Sequence, residues 1–145
     1  MEMRIIIYIA IFTGFSASCA DERTAEMNRV LKTFHTAIPE QRHIYLLIPS
    51  CVCKNCYCFR AEDLPEYFVN SFQIVSSIDT EKFIGFSNTL RDTNDQLIRL
   101  AFLDYGIKFV VTVRGSVIGV IPFTNLNQQS DSLNRYFLKV SQSCK

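Results

Sequence analysis

The strongest hydrophobic signal in the chain is HIYLLI, residues 43–48, which shows no polar alternation. An apolar run of this length, ended by Pro49-Ser50, predicts a strand buried on both faces, as central strands of α/β sheets are. Upstream, Met27, Val30, Leu31, Phe34 and Ile38 follow the i, i+3, i+4, i+7 rule and predict an amphipathic helix over residues 21–38. Asp21, Glu22 and Glu26 sit at its start, where the helix dipole favours negative charge. Lys32 and His35 sit late, which reads His35 as an exposed C-terminal cation, and Pro39 is the expected stop.

Downstream of the first strand the pattern is mixed. Residues 54–71 read as mostly helical, with Pro65 kinking or restarting the helix. FQIVSSI, residues 72–78, is a second strand, and residues 80–90 a helix capped by Asp79 or Thr80. RDTNDQ, residues 91–96, is a loop, and LIRLAFL, residues 97–103, fits strand or helix equally. Two β-rich runs, 108–113 and 117–121, flank Arg114-Gly115-Ser116 and predict a hairpin. Leu126, Leu133, Phe137 and Val140 share one face of a closing helix over 124–140. Alternating α and β elements followed by an antiparallel hairpin imply a three-layer α/β/α sandwich with a mixed central sheet.

The first residues change the compartment rather than the fold. Ile5–Phe15 is an apolar run after Arg4, followed by small residues at Ser16, Ala17, Ser18 and Ala20. This is a secretory signal pattern, too short to span a bilayer as a helix. Ser16-Ala17-Ser18-Cys19 resembles the lipobox of bacterial lipoproteins, departing from it at Ser16, where a branched aliphatic residue is usual. That resemblance implies removal of residues 1–18 and lipidation of Cys19, which would anchor the protein to a membrane of the cell envelope. Cleavage after Ala20 instead would secrete it. Either outcome places the mature chain where disulfides persist. Residues 19–145 suit a single domain, and a net charge of +1 gives no basic excess for nucleic acid.

The chemistry concentrates in PSCVCKNCYCF, where Cys51, Cys53, Cys56 and Cys58 fall within eight positions. The inner pair forms C-x-x-C at the expected junction of a strand and a helix. A helix start presents unpaired N–H groups and a partial positive charge, which stabilise a thiolate. A second cysteine one turn on can resolve a mixed disulfide. Lys54 adds to the positive field.

HIYLLI, then CKNC, then a helix, and later the hairpin FVVTV-RGS-VIGVI with a closing helix, resemble the thioredoxin-like fold, and in particular extracytoplasmic thioredoxin-like lipoproteins. The resemblance spans residues 40–140 in element order, with C-x-x-C its one sharp motif. It implies a thioredoxin-like domain and thiol–disulfide exchange on a protein partner. Cys53 would attack, Cys56 would resolve, and no cofactor would be needed. Two family features are not found. YGIKFVVTV has no proline before the hairpin, and IYLLI carries no buried acid.

Two other readings use the same residues. In one, the fold is kept as a redox-inactive binding or accessory module, and the cysteines, Cys51, Cys58 and Cys144 included, are staples. If Cys19 is lipidated, five thiols remain, so at least one stays unpaired or pairs between chains. In the other, Cys51, Cys53, Cys56 and Cys58 hold a soft ion, Cu(I) or zinc, with Cys144, His35 or His43 assisting. Four sulfurs in one short segment suit a soft monovalent ion better than a closed tetrahedral zinc site, and no metal is favoured. Glu62, Asp63 and Glu66 read as a solvated helix face, and Asp104-Tyr105-Gly106 as a turn.

Overall fold

The apolar run HIYLLI is the middle strand of a five-stranded mixed sheet. A computed structural model describes residues 22–52, 59–63, 70–78 and 83–123. A helix, α1, covers residues 22–32. Seven strands follow among the described residues: β1 His43–Ile48, β2 Phe59–Arg60, β3 Phe72–Ser76, β4 Phe83–Ile84, β5 Thr89–Arg91, β6 Lys108–Val113 and β7 Ser116–Pro122. The main sheet has the order β5-β3-β1-β6-β7, and β2 and β4 form a separate two-stranded pair. β1 runs parallel to β3, which runs parallel to β5. On its other side β1 is antiparallel to β6, and β6 to β7.

The lack of alternation in β1 reflects burial on both faces. Ile44, Leu46 and Ile48 join a cluster with Phe72, Ile74, Phe83, Phe109 and Val111. Tyr45 and Leu47 point the opposite way, as the two-residue period requires, and pack with Met27, Val30 and Leu31 of α1 and with Leu97, Leu100 and Leu103. Each fully buried aliphatic side chain is worth about 1.5–3 kcal/mol relative to exposure, so this strand anchors both halves of the core.

α1 is the expected amphipathic helix, shorter than predicted. His35 adopts φ 56°, the left-handed region. Thr36 N donates to Leu31 O at 3.2 Å and His35 N to Lys32 O at 3.0 Å. This is the paired closure of a Schellman motif, with His35 where glycine is usual. The helix therefore ends through its own capping bonds, before Pro39. His35 is exposed, as expected.

The hairpin is as predicted, with a tighter turn. Ser116 already belongs to β7 and pairs with Val113. Arg114 and Gly115 both have positive φ, 52° and 73°, the signature of a type I′ turn matched to strand twist. Their N–H groups donate to Glu40 O and Pro39 O, tying the turn to the segment after α1. A bulge between Val111 and Thr112 shifts the register along β7.

Three expectations between β1 and the hairpin are corrected. The predicted helix over 80–90 is not formed at its described residues, which make β4, a turn and β5. Gly85 at φ 82° breaks any helical path, and Ser87 and Asn88 favour turns. Within 54–71, Phe59–Arg60 pair with Phe83–Ile84 in a short parallel ladder, and Ala61–Asp63 form a 3-10 turn. The ambiguous segment 97–103 is neither strand nor α-helix. It makes two 3-10 turns, Leu97–Arg99 and Ala101–Leu103. The closing helix over 124–140 and the signal segment lie outside the described residues.

Candidate functional site

The register of the sheet determines what meets the cysteine segment. β1 and β6 are antiparallel with Leu47 opposite Lys108, so the residues after Ile48 lie beside the residues before Lys108. Cys51 follows β1 through a turn in which Val52 N donates to Pro49 O at 3.3 Å. Val52 packs its side chain against the core, and Cys51 is exposed as a free thiol. The Cys51 Sγ lies 3.2 Å from Tyr105 O and donates to it. Only the protonated thiol can make this bond, because a carbonyl oxygen has no hydrogen to offer a thiolate.

The loop that receives Cys51 has an unusual backbone. Asp104 and Tyr105 are consecutive non-glycine residues in the left-handed region, at φ 50° and 54°. Such conformations cost free energy and persist only where the surroundings impose them. The imposing contacts are visible on both sides. Gly106 N donates to Leu103 O, closing the preceding 3-10 turn, and Phe123 N donates to Ile107 O, fixing the hairpin entry. Tyr105 is 70% exposed, the most exposed of the large apolar side chains among the described residues. No cis peptide bond is present among the described residues.

The carboxyl ends of the parallel strands complete this edge. Ser77 N donates to Ile48 O and Asp92 N to Ser76 O, extending the ladders past β1 and β3. Ser76 is buried, and its Oγ accepts from Ile78 N at 3.1 Å. Asp92 is only 3% exposed. Its Oδ2 accepts from Ser77 Oγ at 3.0 Å and Leu97 N at 2.8 Å. With these bonds the carboxylate fastens the 92–97 loop, a structural duty rather than that of a base facing solvent.

Of the cysteines singled out from sequence, Cys51 alone is described. Cys19, Cys53, Cys56, Cys58 and Cys144 lie outside the described residues. His35 and His43, named as metal auxiliaries, are not brought together with Cys51, and no group of three or more His, Cys, Asp or Glu side chains suited to a metal occurs among the described residues. His43 sits at the start of β1, at the opposite end of the strand from Cys51. No helix among the described residues is long and apolar enough to cross a membrane.

Sequence reading missed two parts of this edge. Asp104-Tyr105-Gly106 was legible as a turn, but not as the neighbour of Cys51, because that contact comes from a long-range register. Asp92 falls in a predicted loop, and one local signal marks its burial: an Asp a few residues before an apolar run is suited to accept a backbone N–H. No family model, no curated protein and no solved structure matches the chain.

Proposed function

We propose that this chain is a thioredoxin-like envelope lipoprotein that performs thiol–disulfide exchange on a protein partner through Cys53 and Cys56. One observation carries the reading. The cysteine segment leaves the carboxyl end of the central strand and, through Cys51 Sγ and Tyr105 O, meets the loop that enters the antiparallel hairpin. A central strand parallel to one neighbour and antiparallel to a terminal hairpin on the other side supports the thioredoxin-like, three-layer form of the mixed sheet. In this reading Cys53 attacks a disulfide sulfur of the partner, forming a mixed disulfide and releasing one partner thiolate. Cys56 then attacks Cys53, releasing the second partner thiolate and leaving Cys53–Cys56 oxidised. Lipidated Cys19 would hold the domain at the envelope membrane.

A second reading, a redox-inactive module with structural cysteines, draws on the hairpin entry. That loop has neither a proline nor a cis peptide bond, where the resemblance places a substrate-facing cis-proline.

Thiol mapping of the mature protein across a glutathione redox series separates the two. The exchange reading expects a Cys53–Cys56 disulfide that titrates between roughly −120 and −270 mV. Cys53→Ser should then abolish exchange, and Cys56→Ser should accumulate mixed disulfides. A bridge still intact below roughly −300 mV would make it a staple and establish the second reading. Stoichiometric Cu(I) or zinc on protected thiols would replace both.

A further inference from the structure

At the end of β1 remote from Cys51, a half-buried histidine has one ring nitrogen enclosed without a partner. His43 lies two residues before Tyr45 and shares its face of the sheet, with ring centroids 4.6 Å apart. Its Nε2 is shut off from solvent and has no hydrogen-bond partner. Its carbonyl is engaged, accepting from Thr112 Oγ1 at 3.2 Å. Native proteins satisfy nearly all such buried nitrogens, so an orphaned one calls for an explanation.

What covers this end of the sheet is a connected set of contacts. α1 packs Met27, Val30 and Leu31 against Tyr45, Leu47, Val110 and Val117. Thr24 Oγ1 of α1 accepts from Val117 N at 2.9 Å, and Asn28 Oδ1 accepts from Ile38 N at 3.1 Å. Pro39 O and Glu40 O accept from the hairpin turn. Among the described residues the cover is thus α1, the segment to Arg42, and the turn at Arg114-Gly115.

Little in this cover could balance a charge on the imidazole. On β1 the adjacent Tyr45 phenol is pushed up to about 12 by burial and stays neutral. On α1, Glu22, Arg23, Arg29 and Lys32 are exposed and Glu26 is half-buried. Glu40, Arg42 and Arg114 are exposed on the flanking segments, and Lys108 lies at the far end of β6. None of these groups bonds Nε2. Burial holds the imidazole below its usual range.

We propose that His43 is an acid-sensitive latch, whose protonation loosens α1 and the segment through Arg42 from the sheet while the strands stay paired. An imidazolium whose enclosed Nε2–H has no acceptor is costly, and the least costly relief is to admit water at this end. The direction is fixed by linkage. The open form keeps an ordinary histidine and binds the proton more readily, so opening increases as pH falls from about 6.5 through the depressed value.

Hydrogen exchange of the full chain at pH 7 and pH 5, corrected for intrinsic rates, tests the latch. Residues 22–42 should exchange faster at pH 5 by about tenfold for each unit of depression. β1, β3 and β6 should change less. His43→Phe, which fills the site without a titrating group, should remove the acid response. If this variant fails to fold, the His43 ring titration by NMR in the wild-type chain decides. A midpoint below 6.5 that coincides with the loosening supports the latch. An equal acid response in His43→Phe, uniform loosening of every strand, or a ring midpoint at or above 6.5 would overturn it.

Discussion

Cys51 Sγ donates to Tyr105 O across 3.2 Å, joining two loops that are 54 residues apart in the chain. The bond links the end of the central strand to a loop held in a costly backbone conformation. It ties two loops together at the surface, and its energy is small because it is solvent-exposed and sulfur is a weak donor.

Cys51→Ala should therefore lower unfolding stability by no more than about 1 kcal/mol, and Cys51→Ser, which keeps a donor, by less. Urea titration of the reduced protein measures both. Under the exchange reading Cys51→Ser should also keep most of its activity, because the inner pair carries the chemistry. Loss of exchange as complete as in Cys53→Ser would move the nucleophile to Cys51.

At the end of α1, His35 occupies a left-handed position that a side chain makes costly. His35→Gly should stabilise the protein by about 0.5–1 kcal/mol, since the relief of steric cost exceeds the added flexibility of the unfolded chain. A rise in the denaturation midpoint with an unchanged m-value would confirm it. A fall would show that the imidazole makes a contact worth more than the strain.

Asp92 is the buried carboxylate of the described residues, and a single oxygen holds two donors. Asp92→Ala leaves the Leu97 N–H without its acceptor and should cost about 2–3 kcal/mol. Asp92→Asn keeps one carbonyl oxygen and should cost less. Denaturant curves for the pair give the comparison, and equal losses would show that the negative charge, rather than the acceptor, holds the loop.

HIYLLI was legible because burial on both faces leaves only apolar residues, a pattern that needs no knowledge of neighbours. The hairpin was legible because Arg114-Gly115 is a local turn with local chemistry. The segment from Phe83 to Leu90 was not, since its spaced apolar residues mimic a helix while Gly85 permits a backbone path no helix takes. Its partner in pairing, Phe59–Arg60, is too short to leave a periodic signal. At the candidate site, C-x-x-C is a sequence motif and was visible as such. The placement of Tyr105 against Cys51 follows from the β1–β6 register, which joins residues more than fifty positions apart and leaves no local trace.

The position of β1 also sets an order of assembly. Its residues pair with β3 through Ile44 and Phe72, and with β6 through Ile44 and Val111. The strand at the centre of the sheet is thus made before the other four and gains its second neighbour only when β6 has been synthesised. A nascent chain that stops short of Lys108 holds its most apolar strand with one edge still open. Non-local pairing of this kind is slow, and an open apolar edge is a template for association with other chains. A protein built this way gains from being kept unfolded until the hairpin has been made.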